Sequence, residues 1–330
     1  VLTNSQIGGR RNIIINGAMQ VAQRGTSETG VTDSGYKNAC DRWHFNNTSS
    51  GTWTVSKSTT VPNGEFKNSF KINCTTADAT VNTTDQIAVE QRIEAQDITH
   101  LAYGSSDAKK VTCSFWVRST KTGTFTLEMY VQDSNRTNAI TYTIDSADTW
   151  EHKTLTFVAD TGGSGVTDDN GIGCILKWWL TTGSFFNGGT QQVNTWVDIV
   201  NANRVNSSIP NLADSTDNEW YITGVQLEVG EQATPFEHRS FGEEFALCQR
   251  YFQKSVQNGQ TSYPSSGGYA SGMYLFPVRM RADPTGAYTD GGAGGSSIGN
   301  STNVDGFFNN YGSLAASEAG SFSWTMTAEL

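Results

Sequence analysis

The sequence predicts an all-β protein: an antiparallel jelly-roll β-sandwich, then a short helix and a small C-terminal β domain. Three observations carry this. Apolar and polar residues alternate with a period of two over many short stretches. Charged residues make up only 16 % of the chain, against roughly 25 % in a typical soluble domain, and Thr, Ser, Asn and Gly supply the missing polarity. Aromatics reach 11 %, with nine Trp, which is ample material for a core of β-branched and aromatic strands. A helical bundle, a coiled coil and a disordered chain are excluded by the same mix.

Residues 1–11 read as an extended arm or connector containing the turn-prone Gly8-Gly9. The sandwich is expected over 12–239, opening with the apolar segment Asn12–Val21 and a loop to Tyr36. Val111–Arg118 places Val111, Cys113, Phe115 and Val117 on one face, and Thr112, Ser114, Trp116 and Arg118 on the other. Thr124–Val131 opposes Phe125, Leu127, Met129 and Val131 to Thr124, Thr126, Glu128 and Tyr130. Gln86–Glu94, Lys153–Ala159, Gly173–Leu180 and Trp220–Val229 are further strands, with long loops at Asp160–Asn170 and Asn187–Asn194. Half-buried strands joined by turns imply two packed antiparallel sheets, and their number suits a jelly roll better than an immunoglobulin domain.

A helix interrupts the pattern over 240–254. Ser240 and Glu243 match a capping box. Phe241, Phe245, Cys248 and Phe252 then recur as one stripe, predicting about 14 helical residues whose aromatic face packs on the sandwich or on a neighbouring subunit. The terminal β domain, 255–330, has strand-like Met273–Met280 and Ser321–Glu329 around small-residue runs such as Gly291–Asn300. A unit this short and this poor in charge struggles to bury a core alone, so association with copies of itself is expected.

The formal net charge is −10 and the 22 basic residues are scattered. No basic stripe exists to displace counterions from phosphates, so nucleic acid is not an expected partner, and an anionic membrane surface is not either. No apolar run approaches the roughly 20 residues of a spanning helix, and no signal peptide opens the chain. Membrane insertion is not expected. The start at Val1 rather than Met suggests a chain that is processed or cut from something longer. Cys40, Cys74, Cys113, Cys174 and Cys248 form no CxxC pair, so neither a zinc knuckle nor a redox motif is present. Reduced thiols, and hence assembly in a cytosol, are expected.

No catalytic motif is found: no Gly-Lys dipeptide for a P-loop, no HExxH and no GxSxG at a strand-to-helix turn. His44, His100, His152 and His238 lie far apart. Glu90 with Glu94, or Asp168 with Asp169, are the carboxylate pairs that could be nominated for glycoside hydrolysis, but nothing selects them over solvated carboxylates. The chain is therefore not expected to be an enzyme. Outward-facing Trp residues stand out instead. Alternation puts Trp178 in the core, with Trp179 and Lys177 on the opposite face, and Trp116 beside Arg118. An indole on a sheet surface can stack on the apolar face of a sugar, so Trp179, Trp116 and Lys177 are candidate carbohydrate-binding residues. The alternative is that these rings lie beneath a loop or in a subunit interface. Asp160, Asp168 and Asp169 offer oxygen ligands that could hold a structural calcium, although they depart from EF-hand spacing and an ordinary solvated turn is the preferred reading. No other cofactor is expected.

The run Asn12-Ile-Ile-Ile-Asn-Gly-Ala-Met-Gln-Val-Ala-Gln-Arg-Gly25 with Asp41-Arg42-Trp43 resembles a family of bacteriophage tail-fibre and virion structural proteins. The likeness continues through Trp220–Gly230, Ala233–Arg239, Cys248–Phe252 and Phe276–Met280. The resemblance implies a central domain similar to carbohydrate-binding jelly rolls, a homotrimer, other virion proteins as partners, and a place on the virion, in a tail or head fibre assembled in the host cytoplasm. It also implies attachment to a host-surface glycan. Gly17, Gly25, Gly224 and Gly230 in these blocks read as turn or close-packing positions. Two other functions fit the sequence: a ligand-free decoration or connector protein, and a polysaccharide depolymerase or its binding module.

Overall fold

The computed structural model describes residues 10–257, 268–290, 296–314 and 322–330. The chain divides into two compact units, one running to Phe241 and a second over Gly242–Glu329. The expected arm at 1–11 lies outside the described residues except for its last two, and so does the small-residue run over 291–295. Among the described residues no helix is long and apolar enough to cross a membrane.

The first unit is a jelly-roll sandwich of two antiparallel sheets. One has six strands in the order β1 (Ser27–Val31), β4 (Thr52–Ser58), β5 (Ser69–Thr76), β13 (Glu219–Val229), β7 (Val111–Ser119) and β10 (Glu151–Phe157). The other has seven: β12 (Val197–Asp198), β9 (Arg136–Ile144), β8 (Gly123–Val131), β11 (Ile172–Thr182), β6 (Gln86–Glu94), β3 (His44–Asn47) and β2 (Gly35–Tyr36). The period-two stretches become β6, β7, β8, β10, β11 and β13, displaced by two residues at most. Their apolar faces meet between the sheets, where Trp43, Trp53, Trp178 and Trp220 are buried with Phe45, Phe70, Phe115 and Phe125. Trp178 packs within 6 Å of two rings, Trp43 at 5.6 Å and Phe115 at 5.7 Å between centroids. Cys113 and Cys174 are fully buried members of this core, and all five cysteines are buried and outside any disulfide.

The segment 12–25 has no regular structure yet is largely buried, because side chains replace its missing ladder bonds. Asn12 Nδ2 donates to the Val225 carbonyl, while Oδ1 accepts from the Ile14 and Leu227 amides, each at 3.0 Å. Asn16 bridges the Val21 amide and the Val21 and Asp41 carbonyls, and its own carbonyl accepts from the Trp43 indole at 3.0 Å. The segment 233–239 clamps the start from the other side. Glu237 accepts from the Asn12 amide at 2.6 Å, and Arg239 donates to the Ile14 carbonyl at 2.9 Å and to that of Asn12. The blocks behind the family resemblance are thus scaffold. Gly17 shows why its residue type is fixed: a Cβ there would lie 2.1 Å from the Val225 carbonyl oxygen.

The short helices are α1 (Ala95–Ile98), α2 (Ser184–Asn187) and α3 (Phe241–Gln249). The expected 14-residue helix is nine residues long. Its last stripe member, Phe252, instead begins a strand paired with Thr327, and Phe241 is more than half exposed. The helix lies almost wholly within the second unit. That unit has two three-stranded antiparallel sheets, β14 (Phe252–Gln257), β19 (Phe322–Thr327) and β16 (Thr285–Asp290), then β15 (Gly268–Leu275), β18 (Gly306–Leu314) and β17 (Ser296–Asn303). Its buried cluster among the described residues is small: Phe276, Met280, Phe307, Trp324, Met326 and Ala328.

A Gly17→Ala substitution should destabilise the first unit by about 1–3 kcal/mol, since the added methyl meets backbone rather than a flexible side chain. Urea unfolding followed by tryptophan fluorescence measures this; an unchanged midpoint would contradict the close packing assigned to Gly17.

Candidate functional site

The outer face of the seven-stranded sheet carries a row of ionisable side chains in register across four strands. His44 of β3 pairs with Glu90 of β6, Glu90 with Lys177 of β11, and Lys177 with Glu128 of β8. Directly opposite residues share a face and lie close enough to interact. Lys177 Nζ is 3.1 Å from Glu90 and donates to Gln86 Oε1 at 2.8 Å. Glu90 is also 3.1 Å from Arg92 Nη2 and 3.7 Å from His44 Nδ1. Glu128, fully buried, accepts two bonds of 2.8 Å from the Arg204 guanidinium, one of 2.8 Å from the Trp179 indole and one of 2.6 Å from Thr137. Its lone pairs are thereby filled.

This face is closed. Trp179 is 0 % exposed, lying among Ala88, Phe186 and Val205 under the segment that carries α2 and Arg204. Lys177 Nζ and the Arg204 guanidinium stand 4.0 and 5.1 Å from its ring centroid. Trp179 and Lys177 therefore do share the face that alternation assigned them, but neither can meet a sugar. The cover comes from a segment between strands whose signs in the sequence are the adjacent Phe185 and Phe186 and the lone cation Arg204.

The electrostatics fit a structural network. Burial would raise the Glu90 carboxyl, but Lys177, His44 and Arg92 outweigh it and bring its pKa down to about 2. Burial likewise opposes ionisation of Glu128, and Arg204 with its hydrogen bonds holds that carboxyl below the usual range. Burial pushes the His44 imidazole down to about 4, against the pull of Glu90, and lowers Lys177.

The proposed calcium ligands are not gathered. Asp160 turns inward, 1 % exposed, and its two carboxylate oxygens accept from Arg136 Nε at 3.1 and 3.0 Å. Asp169 caps its own turn through the Gly171 amide and Thr167 hydroxyl, and Asp168 is exposed. Among the described residues no three His, Cys, Asp or Glu side chains form a metal-holding group. The pairing of Asp160 with a strand residue 24 positions away is what the local sequence of the loop could not show.

The six-stranded sheet is different. On β7 only Trp116 and Arg118 escape full burial. Trp116 is half-buried and packs on the exposed His152 ring, its cross-strand partner, at 5.1 Å between centroids. Burial lowers the His152 pKa against the opposing charge of Glu65. Beyond Trp116, Tyr221 lies between Lys71 and Arg118, at 5.2 and 4.9 Å from its ring, with Trp150 at 6.0 Å. The cations of this patch are paired: Lys71 with Glu219 at 2.6 Å and Arg118 with Asp148 at 2.8 Å. Sequence reasoning found Trp116 but not His152, Trp150 and Tyr221. Register alone joins them, and the alternation of β10 carried no apolar signal at His152.

No protein-family model matches the chain, and no curated protein does. Among solved structures it is similar to the enzymatically active domain of tailspike protein 4 from bacteriophage CBA120, with TM-score 0.36 and 14 % identity over 66 % of this chain. It spans about a fifth of that protein's length, 21 %. It is also similar to the family 11 carbohydrate-binding module of a Clostridium thermocellum cellulosomal cellulase, at TM-score 0.30 and 9 % identity, covering 64 % of this chain and 99 % of that one. A third is the module TmCBM61 in complex with beta-1,4-galactotriose, at TM-score 0.32 and 8 % identity, covering 67 % and 99 %.

Two outcomes follow for the closed face. Arg204→Ala should cost about 3–5 kcal/mol, because it strands the buried Glu128 charge; chemical denaturation measures it, and a loss under 1 kcal/mol would mean the pair is exposed to water. For His44 the sign is set by its depressed pKa. Between pH 6.5 and about 4 the unfolded chain takes up a proton that folded His44 refuses, so stability falls on acidification, by at most about 1.4 kcal/mol per pH unit. His44→Gln should flatten that window and leave the steeper loss below pH 4.5, where Glu90 becomes protonated in the unfolded chain. Equal slopes for both proteins would remove His44 from the account.

Proposed function

We propose that this protein is a non-enzymatic, trimeric virion fibre protein of a phage whose sandwich binds a host-surface glycan through the outer face of its six-stranded sheet. The observation that carries glycan binding is the Trp116–His152 ring pair, open on a face where its flanking strand positions are polar. A neutral pyranose stacks on such a surface through its C–H face, while hydroxyls at its rim find Arg118 and Thr154. The paired state of Lys71 and Arg118 points to a neutral glycan, since an anionic one would have to displace a carboxylate from each cation. The tail-fibre blocks of the sequence support the virion role, the partnership with other virion proteins and the homotrimer. A trimer multiplies weak sites, so a millimolar affinity per site suffices for attachment.

The test is a glycan array including host envelope polysaccharide, probed with labelled wild type and Trp116→Ala. Wild type should bind a neutral sugar class with little dependence on salt, and the variant about tenfold or more weakly, with unchanged thermal unfolding and an unchanged mass by light scattering. Equal binding by the two proteins would exclude Trp116. Silence of the folded wild type on every glycan would leave a decoration or connector protein, with Trp116 buried between subunits. Release of reducing sugar from the polysaccharide would instead make it a depolymerase.

A further inference from the structure

The second unit has a feature that the sandwich reading does not use. A cleft of about 590 Å³ opens on it, lined by Trp324, Tyr274, Pro277, Gln253, Gln249 and the exposed Lys254. Met273 and Leu275, at 72 % and 74 % exposed, form its apolar rim on β15. Two of the lining groups are buried without a partner. Gln253 is 1 % exposed; its Nε2 donates to the Val278 carbonyl at 2.6 Å, but its Oε1 accepts nothing. Trp324 is 7 % exposed and its indole Nε1 donates to nothing. Leaving one acceptor and one donor unmade costs about 1–3 kcal/mol each, a cost that a ligand supplying both partners would remove.

We propose that this cleft is a second sugar-binding site, distinct from Trp116, that takes one neutral pyranose ring. A hydroxyl group donates and accepts at once, so hydroxyls of one ring can serve Gln253 Oε1 and Trp324 Nε1 together. The C–H face of the ring meets the aromatic and aliphatic wall, and Gln249 and Lys254 reach hydroxyls at the open edge. Water alone is a poorer occupant. A water's share of volume is about 30 Å³, so the space holds many, and those against Met273, Leu275 and Pro277 find no hydrogen bond there. The volume falls in the range of about 300–1,000 Å³ typical of small-molecule sites. This inference stands whether or not Trp116 binds a glycan.

The experiment uses the full chain and three probes: methyl α-glucopyranoside, methyl β-galactopyranoside and N-acetylglucosamine. Saturation-transfer NMR and titration of tryptophan fluorescence give the affinity of each. At least one probe should bind saturably at millimolar concentration, be weakened about tenfold or more by Gln253→Leu, and be retained by Trp116→Ala. Lys254→Ala, at an exposed edge position, should weaken it about threefold and decides the matter alone should Gln253→Leu lose its fold. The proposal is overturned if none of the probes binds saturably, if binding is lost in Trp116→Ala only, or if the folded variants at 253 and 254 bind as wild type does.

Discussion

A carboxylate removed from water must be paired, and the pairing of Glu128 with Arg204 decides which side of the sandwich is available for recognition. Glu128 lies on the seven-stranded sheet with every lone pair filled, and the arginine that fills two of them belongs to the segment that covers the sheet. The segment cannot lift without exposing Phe186 and Val205 and abandoning a buried ion pair at the same time. The cover is therefore part of the core, and the row from His44 to Glu128 holds strands in register beneath it. The opposite sheet is partly covered too, since Thr223, Gln226 and Glu228 are buried under bonds to Asn68, Thr234 and Glu237, and what remains open on it is the part around Trp116 and His152.

The period of two reveals which face a residue is on, but not what lies over that face. This distinction separates what was legible from what was not. Trp178 and Trp179 were sorted to opposite faces correctly by position alone, because the pleat leaves no choice. The burial of Trp179 depends on Phe186 and Val205, which reach it from a loop and not from its own strand. The charges on that face were the available sign. Lys177, Glu128 and Glu90 all occupy outward strand positions, and opposite charges placed across three neighbouring strands pair readily whether or not water reaches them. Asp160 is a similar case: its loop reads as a turn with spare oxygens until Arg136 arrives from β9. The helix was read too long because Phe252 satisfies a helical stripe and a strand alternation equally, and pairing with β19 decided between them.

The two units place their aromatic residues differently. In the sandwich Trp43, Trp53, Trp178 and Trp220 are sunk between the sheets and Trp179 beneath the cover, while Trp116 lies half-buried on the outer face of the other sheet. In the second unit the buried cluster of the described residues includes Trp324, which also lines an open cleft.

The clamp of 233–239 on 12–16 has a mechanical consequence. Asn12 and Arg239 are in contact, so the chain enters and leaves the sandwich at one point. Tension applied along the backbone then passes across that short junction, from one strand of the chain to the other, without running through the sheets. The sandwich hangs from the line of force as a side branch. The hydrogen bonds of Glu237 and Arg239 bear the load, while the twelve strands other than β13 and the surface around Trp116 keep their geometry for as long as those bonds hold.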